Sequence, residues 1–279
     1  MTRSMPAFVV ATAALALAAA PAMRAQTADE RTPRELEGVG IEEHLGAKVD
    51  LSLTFIGEDG YPHPLGEYFH KGRPVILNLV YYTCPMLCTL VLNGQTEALR
   101  HLPQTIGKEF DVVTISIDPR DDFGMARTKK AAYLASYERP TDGWHFLIDH
   151  EGNVRKLADQ IGFHYKFDKQ IEQYAHAAGI FVLSPEGMIS RYLYGVKFKP
   201  LDIRLALTEA AGERYGVSDK ILLYCFHYDP VSRSYVPFAQ NFMRTGGLLA
   251  LVLFGLVLFR LWRRERRLSH ANRHMVTAK

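Results

Sequence analysis

The chain has 279 residues, 48% hydrophobic and 23% charged, with 33 Lys and Arg against 30 Asp and Glu for a net charge of +3. That composition fits one or two globular domains and excludes a disordered or fibrous chain, and the slight basic excess argues against a dedicated nucleic-acid binder. Three cysteines are too few for a disulfide-stapled scaffold or a Cys₄ zinc site.

In chain order, Arg3, the apolar run Ala7 to Ala20 and the small-residue site Ala20-Pro21-Ala22 predict a secretory signal peptide over residues 1–25. Residues 26–48 are polar and read as an arm. Leu51, Leu53 and Phe55 alternate with polar residues before the turn Gly57-Glu58-Asp59-Gly60, which predicts a strand or hairpin. Val75 to Tyr82 is a continuous apolar run, as in a central strand buried on both faces. A helix is predicted over residues 89–101, a second buried strand at Asp111 to Asp118, and a helix over residues 124–138. A third strand at Trp144 to Ile148 and a helix at Val154 to Ile161 come next. Gly179 to Ser184 and Ile189 to Tyr194 flank Pro185-Glu186-Gly187 as a hairpin, and Leu201 to Ala211 is a closing helix. Strands alternating with helices and ending in an antiparallel pair predict an α/β domain over residues 49–213, with a mixed central sheet and flanking helices. A cysteine-bearing turn directly after the first central strand suggests a thioredoxin-like arrangement.

Residues 214–244 form a juxtamembrane segment. The apolar run 246–259 is extended by Thr245 in front and by Leu261 and Trp262 behind, which predicts a transmembrane helix over 245–262. Arg263, Arg264, Arg266 and Arg267 then place the tail 263–279 on the cytoplasmic side by the positive-inside rule. Residues 260–279 net +6 and the leader +2; subtracting both from +3 leaves −5 for residues 26–259. The positive charge therefore belongs to the topology signals, and the exported domain is mildly acidic.

Chemistry is concentrated in Thr83-Cys84-Pro85-Met86-Leu87-Cys88. Cysteines four apart at the start of a helix share a face, and a helix N-terminus favours thiolates. Thiolates are soft ligands for Cu(I) and also nucleophiles toward disulfides, so the spacing alone leaves metal binding and thiol exchange both open. His176, just before the strand Gly179 to Ser184, would complete an S₂N set able to hold Cu(I) or Cu(II).

Together, TCPMLC after an apolar strand, Ser-Ile-Asp-Pro-Arg-Asp-Asp at 116–122, and His176 followed by GIFVLSPEG make the chain resemble the Sco/SenC family of copper-handling proteins required for cytochrome c oxidase assembly. The resemblance spans about residues 45–212. It implies a thioredoxin-like domain tethered to a membrane, with copper bound by Cys84, Cys88 and His176. It implies, as partners, the oxidase subunit carrying the copper centre, a copper donor protein and a thiol reductant, and it gives no role to nucleic acid. A membrane-tethered thiol–disulfide reductase acting on the oxidase copper-site cysteines, with Cys84 attacking and Cys88 resolving, is the alternative. The implied location is a bacterial inner membrane with the main domain in the periplasm.

The chain departs from the family pattern in having Met86 and Thr89 where an acidic residue and a proline are common, and in carrying its anchor at the C-terminus. Met86 reads as a surface contact for a partner or a soft auxiliary ligand. Cys225 and His227 form a C-x-H pair outside the family core, an accessory ligand pair or a buried strand cysteine. Asp118 to Asp122 reads as a structural loop near the site, and His63 and His70 as solvated. Phosphate-binding glycine loops, a G-x-S-x-G elbow and H-E-x-x-H are absent from the sequence, which argues against nucleotide, esterase and zinc-protease chemistry.

Overall fold

The computed structural model describes residues 38–212 except His70 and Pro85, then Leu223, 226–229, 232–237 and 239–276. The expected signal peptide, most of the arm and Cys225 lie outside the described residues.

The fold begins with β1 (Gly40–Ile41), β2 (Thr54–Ile56) and β3 (Pro62–Pro64), followed by a 3₁₀ turn at Leu65–Tyr68. β4 (Val75–Val80) leads through the cysteine turn into α1 (Leu87–Arg100). β5 (Asp111–Ser116), α2 (Phe123–Tyr137), β6 (Trp144–Leu147) and α3 (Asn153–Gln160) follow. Next come β7 (Phe163–Asp168), β8 (Gln173–His176), β9 (Gly179–Leu183), β10 (Ile189–Tyr194) and α4 (Pro200–Ala211). The hairpin β11 (Phe226–Asp229) and β12 (Ser234–Pro237) precedes α5 (Ala239–Val276).

The five-stranded sheet has the order β10-β9-β4-β5-β6. β4, β5 and β6 are parallel, while β9 runs antiparallel to β4 and β10 antiparallel to β9. Every residue of β4, β5 and β9 is buried, as uninterrupted apolar strands covered on both faces require. The polar residue within β4, Asn78, lies opposite Thr114 and donates to its Oγ1 at 3.1 Å. On α1, Cys88, Val91, Leu92, Gln95, Thr96, Ala98 and Leu99 are buried, a helical stripe facing the core. The expected mixed sheet with flanking helices is therefore the one observed.

Three local features differ from the sequence reading. The arm expected over 26–48 ends early, because β1 pairs with β7 and the Glu42 N–H donates to the Gly162 carbonyl at 2.8 Å. β7 and β8 form a hairpin in a segment to which the sequence reading assigned no element. The segment before the apolar helix folds as the β11–β12 hairpin and docks on the domain. There Tyr235 donates its N–H to Asp202 at 3.2 Å and its O–H to Glu209 at 2.6 Å, and the Arg191 guanidinium lies 4.6 Å from the Tyr228 ring. Within α5, Gly246–Arg263 is long and apolar enough to cross a membrane.

Candidate metal centre

β4 ends at Val80, and the chain turns through Tyr81, Tyr82 and Thr83 before α1 starts at Leu87. The helix begins two residues ahead of the predicted 89–101, so Cys88 is its second residue while Cys84 sits in the loop ahead of the N-terminus. The Cys88 N–H, one of the first-turn donors without a helical acceptor, points at the Cys84 sulfur at 3.3 Å. Cys84 thus caps the helix with sulfur. Both cysteines are free thiols and buried.

His176 closes β8, opposite Tyr165 on β7, and reaches the thiols from the other side. Its Nε2 lies 3.1 Å from the Cys88 sulfur, and its Nδ1 lies 2.9 Å from the Ala177 carbonyl. A carbonyl only accepts, so Nδ1 carries a hydrogen. In the neutral ring Nε2 then presents its lone pair to the thiols. The rings of Tyr81 and Phe163 stand 6.1 and 5.8 Å from the imidazole and hold its plane. β9 lies directly beside β4 in the sheet, the neighbour relation that brings His176 to the cysteine turn.

The two thiols influence one another's ionisation. The hydrogen bond from the Cys88 thiol draws the Cys84 thiol well below its ordinary value; burial opposes this, and contacts from His176, Tyr81 and the Cys88 N–H add to it. Cys88 moves the opposite way, because it donates that hydrogen bond while keeping its proton and is itself buried. Cys84 is therefore the thiolate of the pair and Cys88 the proton carrier. Among the described residues no group of three His, Cys, Asp or Glu side chains is already drawn up as a metal cage. The thiols and imidazole are instead joined through hydrogen bonds, with protons where a soft metal ion would be held. Two sulfurs and one nitrogen are a donor set that fits copper.

A buried carboxylate holds the turn from behind. Asp121 Oδ2 accepts the Tyr82 N–H at 2.7 Å and the Ser116 O–H at 2.6 Å. Asp118 is engaged by Arg120 at 2.7 Å, and Asp122 caps α2 by accepting the Met125 N–H at 2.8 Å. Each carboxylate of the 118–122 loop accepts at least one hydrogen bond from the protein. The supporting roles of Asp121 and Tyr81 were missed by sequence reasoning, although Asp121 lies in the motif it singled out.

Met86 stands 68% exposed beside the cysteines. His227 is exposed on β11, whereas its neighbour in the C-x-H motif, Cys225, and the residue between the thiols, Pro85, are outside the described residues. His63 differs from expectation. It is held between two carboxylates, with Nδ1 2.8 Å from Glu67 and Nε2 2.9 Å from Asp59, rather than free in solvent. His70 lies outside the described residues.

The family model described as SCO1/SenC matches residues 46–209, more than half of the chain. An Aquifex aeolicus VF5 protein provisionally described as an electron transfer protein is 28% identical, with a TM-score of 0.54 over 61% of this chain and 96% of that one. Bradyrhizobium japonicum ScoI with copper bound is 21% identical, with a TM-score of 0.43 over 56% and 92% of the two chains. BsSco, described as a member of the Sco family of cytochrome c oxidase assembly proteins with a disulfide switch, is 22% identical. Its TM-score is 0.46 over 61% and 97%. No curated protein matches the sequence. The family match makes the domain thioredoxin-like.

Proposed function

The chain belongs to the SCO1/SenC family, and from that premise we propose that it is a membrane-anchored copper chaperone for the copper centre of cytochrome c oxidase. Cys84, Cys88 and His176 are its copper ligands. The observation that carries this reading is that two buried free thiols meet an imidazole at the start of α1, with His176 Nε2 3.1 Å from the Cys88 sulfur and the Cys84 sulfur 3.3 Å from the Cys88 backbone nitrogen. A soft S₂N set suits Cu(I) and can hold Cu(II). Copper is cargo here, and it replaces the protons that the three side chains share. Loading requires both cysteines reduced and releases thiol protons, so a copper donor and a thiol reductant act upstream. Met86 offers a thioether at the entrance to the site, either as a partner contact or as a soft auxiliary ligand.

The layout supports delivery on the outer face of a bacterial inner membrane. A leader over residues 1–25 exports the domain to the periplasm, the apolar part of α5 spans the membrane, and the arginine-rich tail stays in the cytoplasm. The client is the oxidase subunit that carries the copper centre.

A second reading has its own observation. A thiolate at Cys84 with a protonated neighbour at Cys88 is the arrangement of an attacking and a resolving thiol, so the chain could reduce the cysteines of the oxidase copper site. His176→Ala separates the two. The chaperone reading expects oxidase copper loading to be lost while the dithiol still exchanges with a model disulfide. Loading that survives in His176→Ala supports the reductase.

A further inference from the structure

Tyr81 follows β4 directly and touches all three candidate ligands. Its backbone N–H donates to the Cys88 sulfur at 3.5 Å, and its carbonyl accepts the Cys84 N–H at 3.2 Å. Its ring stands edge-on to the His176 imidazole, with 6.1 Å between centroids. The side chain is buried, and its hydroxyl hydrogen-bonds the Cys84 sulfur.

The direction of that last hydrogen bond follows from chemistry. Cys84 is the thiolate of the pair and can only accept, so the phenol O–H is the donor. The backbone of Tyr174 on β8 hydrogen-bonds the same hydroxyl, and the Tyr174 ring packs against the Tyr81 ring at 5.6 Å. The phenol is thus held from behind with its hydrogen toward sulfur. The two main-chain contacts would survive any residue but proline at position 81. Only the hydroxyl contact depends on the side chain.

A hydrogen bond to a cysteine sulfur takes up part of its negative charge and leaves less for donation to a metal. Cu(II) carries the higher charge and depends more on that donation than Cu(I), which is how hydrogen bonds around a cysteine sulfur tune a copper potential.

We propose that Tyr81 is a positioning residue that biases the site toward Cu(I) over Cu(II) through its hydroxyl on the Cys84 sulfur. This rests on the reading of Cys84, Cys88 and His176 as copper ligands and adds to it the oxidation state that the site prefers.

The test is a potentiometric titration, under argon, of the full chain carrying one copper, followed by the sulfur-to-copper absorbance of the Cu(II) form. In Tyr81→Phe, which keeps the ring, the Cu(II) to Cu(I) affinity ratio is expected to rise about tenfold. The potential then falls by about 59 mV, and the absorbance moves to longer wavelength. Tyr174→Phe, which keeps the ring stack and the backbone contact, is expected to leave the potential unchanged. An unchanged potential in Tyr81→Phe overturns the proposal, and so does an equal shift in Tyr174→Phe. Weaker copper binding in Tyr81→Phe without a change of potential makes the residue merely structural. Fluorination of the Tyr81 ring makes its hydroxyl a stronger donor and keeps the test open if Tyr81→Phe does not fold. It is expected to raise the potential, and a fall would overturn the proposal. A parent chain that takes up no copper refutes the copper reading itself.

Discussion

At the scale of single residues, the two sulfurs of the candidate site differ in their surroundings. Cys84 accepts a helix N–H and a thiol hydrogen bond, while Cys88 is deeper and keeps its proton. Iodoacetamide is therefore expected to label Cys84 at mildly acidic pH, where an ordinary thiol is silent, and to spare Cys88. Mass spectrometry of the labelled peptides checks this; equal labelling that rises only above pH 8 would contradict it. The two thiols were legible because a C-x-x-x-C after an apolar strand leaves few structural uses, and His176 because the order of strands brings β9 beside β4. Asp121 and Tyr81 were not legible as supports. A carboxylate that accepts the backbone N–H of Tyr82 from 39 residues away is a product of the tertiary fold, with no local signature.

Glu58 makes a residue-scale claim about stability. Burial opposes its ionisation, but the His145 imidazole 3.7 Å away and the ion pair with Lys130 outweigh it and bring the carboxyl from 4.5 to about 2. A carboxyl depressed in the folded state contributes stability that is present above pH 4.5 and is lost as pH falls toward 2. Glu58→Gln is expected to cost roughly 2 kcal/mol at pH 7 and progressively less between pH 4.5 and pH 2. Urea unfolding at several pH values measures it, and a cost that does not change with pH would count against this account.

At the scale of elements, α1 is held against the rest of the domain at a glycine. A Cβ added to Gly94 would fall 1.9 Å from the Val196 carbonyl oxygen, a backbone atom that has no rotamer to change. Gly94→Ala gains helix propensity but forces α1 away from the 195–199 loop, with an expected net loss of about 2 kcal/mol. Since Cys88 lies on the same helix, the variant should also lose the labelling contrast between the thiols; a variant as stable as the parent would show that the two segments separate easily. The main strands were readable because apolar runs such as VILNLV and DVVTIS need two covered faces. β7 does carry a strand signal, since Phe163, Tyr165 and Phe167 alternate with His164, Lys166 and Asp168, and it was overlooked; β8 (QYAH) is too short to show a pattern of its own. The β11–β12 hairpin was obscured for another reason. Tyr228 and Tyr235 are given their burial by Arg191 and Glu209 on distant elements, so the segment itself carries only turn residues and scattered aromatics.

At the scale of the whole molecule, the net charge of +3 is a sum over regions with different roles, an acidic domain set against a basic tail. If Gly246–Arg263 is the anchor, removing residues 246–279 should move the chain from the membrane fraction to the soluble fraction without changing thiol labelling. A truncated chain that still pellets with membranes would place the anchor elsewhere. The domain, its sheet order and its cysteine turn belong to the family, whereas the C-terminal hairpin and apolar helix lie beyond the matched residues 46–209. Tethering is therefore where this chain is expected to differ from its relatives.

The central claim is that Cys84, Cys88 and His176 bind copper. The most direct measurement is the copper-to-protein ratio of the reduced full chain, dialysed against a Cu(I) competitor, beside Cys84→Ser/Cys88→Ser and His176→Ala. The account predicts one copper per chain in the parent, essentially none in the double-serine variant, and a Cu(I) affinity lower by about tenfold or more in His176→Ala. Full copper retention in the double-serine variant would contradict it.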